Sequence, residues 1–441
     1  MKMITKVAVC ALVAALVVPP VSTAATALPA ADSAVLDPSR SAVFVGSTVE
    51  TDKVHEARLK AGPQGAALYN LAEQGEYVVQ TTPEMLAGDE IDPVTFDQCQ
   101  SHQVTPENPF WYKNKYNACS SVKLQVQYWE RDAEGRPYLA GTSTFLRSAI
   151  SIAQAGESKM KFGVRLIHDS DLGTVDDNTT LAIKIGCLEV DLDPNRVGYC
   201  TVSPGEVKKT LGQWKAEKGA NPAWFESAMV TTKVPADKYA AEKRGYFSVD
   251  EVVTTEDSTG PRTIFHPAAD VRCDEATYVA GSKCVFQKVT SSLGLYANDP
   301  EHGESARFIR DAQTNIGLTY PGLLGKKVPG TISPPEPLHR LYKDYDTEND
   351  IDGSSRKVRR ACQVRWGVGY TLNAAGEILQ CDEYPFKTTY ENAARVDDSS
   401  PYTYAVRAIN ALHNETAGRI YGRWLTDDHI LDGDPFFVII Y

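Results

Sequence analysis

The chain has 441 residues, enough for two or three folding units rather than one. Its composition, 42% hydrophobic and 23% charged, excludes a disordered or low-complexity chain. A formal charge of −12 excludes a generally basic nucleic-acid-binding surface. Any contact with a polyanion then has to come from a local basic site, or from a metal ion that neutralises phosphate.

At the N-terminus, Lys2 and Lys6 precede an apolar run from Val7 to Val18, followed by small residues ending at Ala24 or Ala27. Residues 1–27 therefore read as a secretory signal peptide, too short to span a bilayer, and the mature protein is expected to be secreted and extracellular. Cys10 lies inside the apolar run rather than at the cleavage point, which argues against a lipid anchor. No later stretch is apolar enough to cross a bilayer, so no membrane partner is expected.

Removal of that segment leaves eight cysteines, an even number suited to disulfides in an oxidising compartment. Eight cysteines allow about a hundred pairings. They nevertheless fall into four neighbouring couples, each separated by roughly 10 to 20 residues. The expected pairs are Cys99–Cys119, Cys187–Cys200, Cys273–Cys284 and Cys362–Cys381, each contributing about 3 kcal/mol in the chain-entropy picture. A zinc site is the poorer reading, because the chain has no CxxC and no histidine at ligand spacing.

Residues 28–95 read as a leader, rich in Ala, Ser, Val and Pro up to Ser47. One or two short helices are expected between Thr51 and Tyr77, broken near Gly62-Pro63. Residues 96–297 read as a β-rich, sandwich-like antiparallel domain of open role. Val122, Leu124, Val126 and Tyr128 alternate with polar residues, as do the stretches around Phe162, Val164 and Leu166 and around Leu181, Ile183 and Ile185; this is the period of half-buried strands. Glu134-Gly135-Arg136-Pro137 turns the chain between strands.

Beyond Leu293 the texture changes, and residues 298–441 read as an α+β domain. Ala306, Phe308, Ile309 and Ala312 predict a helix from Glu304 to Gln313. A Gly/Pro-rich stretch follows from Gly317 to Pro337. The acidic run Asp344 to Asp352 does not fall into calcium-loop register and reads as a solvated face or loop. A basic run, Arg356-Lys357-Val358-Arg359-Arg360, comes next. No nucleophile elbow, phosphate-binding glycine loop, HExxH or dinucleotide fingerprint is present.

Chemistry concentrates near the C-terminus. Cys381-Asp382-Glu383-Tyr384-Pro385-Phe386 and Glu391 place three carboxylates close together in the chain. Thr403 to Arg407 predicts a strand carrying Arg407. Asn414 is placed as an N-cap before helical spacing from Glu415 to Leu425, and Leu431-Asp432-Gly433-Asp434-Pro435-Phe436 turns into a final apolar strand. Strand, strand, helix and strand in about sixty residues form a compact scaffold.

These residues, together with Pro337-Leu338-His339-Arg340 and the helix from Glu304, resemble the NucA/NucB family of secreted bacterial deoxyribonucleases over the last third of the chain. The resemblance implies a small ββα-metal-like nuclease fold and non-specific endonucleolytic hydrolysis of DNA. Asp382 would be the base that activates water and Asn414 a metal ligand. Glu391 and Glu383 would complete or orient the metal shell, and which of the two touches the ion is left open. Oxygen ligands suit Mg²⁺ or Mn²⁺, and Asp382 would need burial or a nearby carboxylate to titrate near neutrality. Arg407 and Arg395 are candidates for holding phosphate oxygens, with a salt-bridging strand residue the competing reading of Arg407. Lys387, Thr388 and Asn392 depart from the family pattern without removing a candidate group.

The blander readings are a surface strand start for Asp382 and Glu383, a mere cap for Asn414, a surface histidine for His413 and turn chemistry for Asp432 and Asp434. Two other classes fit the same sequence. One is a delivered antibacterial DNase toxin, with an inhibitor or immunity protein as partner. The other is a catalytically silent secreted binding protein.

Overall fold

The computed structural model describes residues 77–81, 93–102, 104, 110–189, 198–231, 240–257, 260–323, 325–396 and 403–441. The expected signal peptide and most of the expected leader lie outside the described residues. Tyr77, where short helices were expected to end, instead opens a strand, β1 (Tyr77–Thr81).

The sandwich begins with a short helix, α1 (Phe96–Ser101). Thr95 and Gln98 form a reciprocal capping box at its start, with bonds of 3.0 and 3.2 Å. Strands β2 (Trp111–Asn114), β3 (Asn117–Arg131), β4 (Pro137–Ala153) and β5 (Lys159–Gly173) follow as a meander. Gly135, with φ of 78°, makes the β3–β4 turn. Next come β6 (Thr180–Glu189), β7 (Gly198–Ser203), β8 (Val207–Thr210), helix α2 (Leu211–Glu217) and β9 (Ala223–Thr231). β10 (Gly245–Asp257), β11 (Gly260–Cys273) and β12 (Cys284–Phe286) complete this part.

These strands make two antiparallel sheets, ordered β2-β3-β4-β5-β9-β7 and β12-β11-β10-β6-β8. The alternation read in the sequence selects the buried faces. Leu124, Val126, Phe162, Val164 and Leu166 of one sheet share a core with Leu181, Ile183, Ile185, Phe247 and Val271 of the other. The same interior holds a fully buried ion pair, in which Arg147 Nε donates to Glu251 Oε1 at 2.8 Å. His266 lies opposite Glu251, and burial together with Arg147 drops its pKa to about 4.

A second, smaller layer starts before residue 298. β13 (Val289–Leu295) runs parallel to β1 on one side and parallel to β17 (Pro435–Ile440) on the other, and β14 (Leu338–His339) closes the sheet antiparallel to β17. This sheet is therefore mixed. Against it pack α3 (Gly303–Thr314) and α5 (Ala411–Asp427), through Phe308, Ile309, Trp424, Leu425, Phe436 and Val438. Strands β15 (Leu379–Tyr384) and β16 (Ala405–Asn410) form a separate antiparallel hairpin, and α5 follows it without an intervening loop. The far face of the hairpin is covered by α4 (Asp350–Trp366), through Val358, Ala361 and Val406. The molecule is thus α+β and strand-rich, and the strand, strand, helix, strand order of its C-terminal part is the one expected.

All four expected cysteine pairs stand at disulfide distance. Cys99–Cys119 holds α1 to β3, Cys187–Cys200 links the two sandwich sheets, Cys273–Cys284 joins β11 to β12, and Cys362–Cys381 pins α4 to β15. Among the described residues, no helix is long and apolar enough to cross a membrane.

Candidate active site

Strand period decides what the hairpin can present. Successive residues of β15 face opposite sides, so Gln380, Asp382 and Tyr384 point toward α3 and α5, while Cys381 and Glu383 point toward α4. β15 is paired only to β16 among the described residues. A cleft of about 730 Å³ runs along its other edge, lined in succession by Leu379 to Glu383. Asp382 and Glu383 therefore enter it from opposite sides of the strand. Asn414 reaches the same cleft from α5. The structure thus gathers Asp382, Glu383 and Asn414, three of the five expected catalytic residues, around one cavity.

Asp382 is buried, and its carboxylate is held at both oxygens. Oδ2 accepts from the Ser305 hydroxyl of α3 at 2.5 Å, and Oδ1 accepts from the Glu383 amide at 2.8 Å. Burial pushes its pKa up to about 7, helped by the neighbouring charge of Glu383 and opposed by the Ser305 bond and by Arg407. Burial likewise lifts Glu383 to about 7, against the pull of Lys387. Burial thus raises both carboxyl groups of the cleft well above the usual carboxylate range.

Asn414 is not the N-cap. Asn410 caps α5, its side chain accepting from the Leu412 amide at 2.9 Å, so the helix starts four residues earlier than the sequence suggested. Asn414 lies in the first turn inside the helix. Its Nδ2 donates to Gln380 Oε1 at 2.9 Å, and that bond fixes the amide plane while its oxygen has no partner among the described residues.

The remaining expected residues are employed elsewhere. Glu391 does not line the cleft: Oε2 accepts from the His339 amide at 2.9 Å and Oε1 lies 2.7 Å from His339 Nδ1. It pins the chain that leads into Arg340 and Leu341 of the cleft wall. Arg407 stands opposite Asp382 in the hairpin register, but its guanidinium donates to Asp311 Oδ2 and to the Leu318 carbonyl, both at 2.9 Å. Arg395 is bonded to Asp350 at 2.5 Å and stacks over Tyr390. Neither arginine lines the cleft; each is engaged by an acid elsewhere, Arg407 by Asp311 of α3 and Arg395 by Asp350 of α4. His413 accepts from the Glu304 amide at 3.4 Å, away from the cleft. Asp432 and Asp434 do make the turn at Gly433, yet both are buried: Asp432 accepts from the Tyr342 amide and the Tyr390 hydroxyl, each at 2.8 Å.

The positive side of the cleft comes from Lys343, Arg359 and Lys387, with Arg340 behind them. Arg340 is spoken for by the Leu425 and Ile430 carbonyls. Lys343 and Arg359 have no ion-pair or side-chain hydrogen-bond partner among the described residues. Of the groups missed in the sequence, Gln380 was legible from its i, i+2 relation to Asp382, and Arg359 stood in the basic run. Ser305, 77 residues from its partner, left no local signal.

Comparison of the chain with family profiles, with curated proteins and with solved structures finds no match.

Proposed function

We propose that this cleft is the active site of a secreted, metal-dependent endonuclease of the NucA/NucB kind, which hydrolyses phosphodiester bonds of DNA without sequence preference. The observation that carries the reading is convergence. Asp382, Glu383 and Asn414 belong to a hairpin and to the helix that directly follows it, as in a ββα-metal nuclease. They share one cleft with two cations, Lys343 and Arg359, that have no ion-pair partner among the described residues.

The donor set suits a hard divalent cation, Mg²⁺ or Mn²⁺, because every available group is an oxygen: two carboxylates, the Asn414 amide oxygen and the Ser305 hydroxyl. Among the described residues, no three His, Cys, Asp or Glu side chains gather into a ligand cluster. Asn414 and substrate phosphate oxygens are therefore needed to complete the coordination. An ion held there would supply polarisation of the phosphodiester and of the attacking water.

The chain does the rest. Asp382, held by Ser305 and titrating near pH 7, takes the proton of the attacking water. Gln380 keeps the Asn414 oxygen turned into the cleft. Lys343, Arg359 and Lys387 offer donors to the non-bridging oxygens, which answers the net negative charge of the chain locally. Export follows from the N-terminal reading and agrees with four disulfide-distance cysteine pairs.

A supercoiled plasmid incubated with the protein should be nicked in Mg²⁺ or Mn²⁺ and left intact when a chelator is added. Nicking that survives the chelator, or no nicking with either metal, removes the proposal.

A further inference from the structure

The basic run at the start of α4 resolves into a face. Arg356, Arg359, Arg360 and Gln363 are spaced i, i+3, i+4 and i+7, and all four are exposed, whereas Ser354, Val358, Ala361 and Cys362 are buried on the opposite side. None of the three arginines has an ion-pair or hydrogen-bond partner among the described residues. What distinguishes them is that three stand together on one helix face, whereas other exposed cations are paired, as Arg136 is with Asp132 and Glu134, Lys208 with Glu256 and Arg423 with Asp427, or stand singly, as Arg310 does. In a chain of net charge −12, leaving three guanidinium groups unpaired on one helix face concentrates positive potential there. Arg359 also lines the cleft, so the face opens directly from the candidate active site. Asp352, one turn before Arg356, ends the basic stretch.

We infer that this face of α4 docks the phosphate backbone of double-stranded nucleic acid and leads it to the cleft at Arg359. The inference rests on the nuclease reading above. Arg356 and Arg360 are one helical turn apart, about 6 Å along the axis, so that together with Arg359 they reach successive phosphates of one strand. The nearest aromatic along this face is Trp366, one turn beyond Gln363, 41% exposed and set edge-on to Tyr320. One ring at the end of the helix is not the row of platforms on which successive bases of a single strand stack, so charge dominates the face, which fits a backbone whose bases are turned inward.

The test is fluorescence anisotropy with a labelled DNA duplex in chelator, with salt raised from about 50 to about 200 mM, comparing the full chain with its Arg356→Gln/Arg360→Gln variant. Both positions are exposed, so the variant should fold as the parent does. The expected result is an affinity at least about tenfold lower at low salt, and a plot of log K against log salt shallower by roughly two units. An unchanged slope overturns the inference. So does tighter binding to a single strand of the same length, or to vesicles of anionic phospholipid, than to the duplex. Hydrolysis of bis(4-nitrophenyl) phosphate by the unaltered protein with Mn²⁺ tests the nuclease reading separately. Its absence removes that reading, while the chelator-phase titration still decides the docking face.

Discussion

Asp382→Asn should abolish plasmid nicking, by a factor of about 10³ or more, and at the same time make the protein more stable in metal-free buffer at pH 8. The loss of rate is that of a removed general base. The gain in stability follows from the sign of the pKa shift. The native carboxyl is raised to about 7 by burial, against about 4 in the unfolded chain. Between those values the native state binds the extra proton, so this group's contribution is fully present below about pH 4 and is lost as pH rises through 7. At pH 8 the buried charge costs on the order of 2–4 kcal/mol, and an amide of the same shape avoids it. Urea melts of both proteins should show the variant ahead at pH 8. The gap should narrow by about 1.4 kcal/mol per unit as pH is lowered from 7 toward 5. A variant that melts earlier than the parent at pH 8 and still nicks DNA would mean that Asp382 is an ordinary structural acid.

Asp434→Ala is expected to be the most damaging single change for stability. Asp434 is buried in the turn before β17 and accepts from Arg272 Nη1 at 2.6 Å and from the Leu431 amide at 2.9 Å, with Lys115 Nζ at 3.5 Å. Arg272 belongs to β11 and Lys115 to the β2–β3 turn, so one carboxylate ties the sandwich to the C-terminal layer. Arg244 reaches the same place and donates to the Asp432 carbonyl at 2.9 Å. Burial opposes ionisation of Asp434, but Arg272, Lys115 and Arg244 outweigh it and hold the carboxyl far below the usual range. Its stabilising contribution is therefore complete above about pH 4 and is lost only in stronger acid. Removing the carboxylate strands buried cations, which costs about 3–5 kcal/mol. Asp432→Asn should cost much less, because the Tyr342 amide and the Tyr390 hydroxyl that it meets are neutral: the amide oxygen keeps the Tyr342 bond, and the Tyr390 hydroxyl can turn to accept from the new NH2. Equilibrium urea unfolding measures both, and a loss below about 1 kcal/mol for Asp434→Ala would show that the ion cluster does not hold the layers together.

Local patterns made much of this architecture readable in advance. The alternation at Leu124-Val126, Phe162-Val164-Leu166 and Leu181-Ile183-Ile185 fixes which side of each strand is buried, because a strand's period is two and one face must leave water. Short separations brought each cysteine couple to disulfide distance. The hairpin and helix near the C-terminus follow from Asp382-Glu383-Tyr384, from the strand pattern at Thr403 to Arg407 and from helical spacing between Glu415 and Leu425. What escaped is non-local. Ser305 meets Asp382 across 77 residues, and Arg272 meets Asp434 across 162. No periodicity records such contacts. Asp432 and Asp434 looked like turn formers because Asp-Gly and Asp-Pro are turn chemistry, and the sequence could not show that the same turn is buried against β11. Arg407 and Arg395 were ambiguous in kind: an arginine on a strand serves a neighbouring acid or a substrate phosphate equally well until its partners are placed. The N-cap was misplaced because His413-Asn414 and Asn410 both offer capping side chains, and only the helix itself shows which one precedes it.

The cleft is expected to hold one divalent cation through the Asn414 oxygen and the Glu383 carboxylate, with Asp382 beside it as the base. Electron paramagnetic resonance titration with Mn²⁺ measures this without relying on turnover. One ion should bind per chain, with at least about tenfold weaker binding in Asn414→Ala and no change in that variant's metal-free melting temperature. Binding of Mn²⁺ that is undiminished in Asn414→Ala, or no binding by the parent protein, would contradict the account.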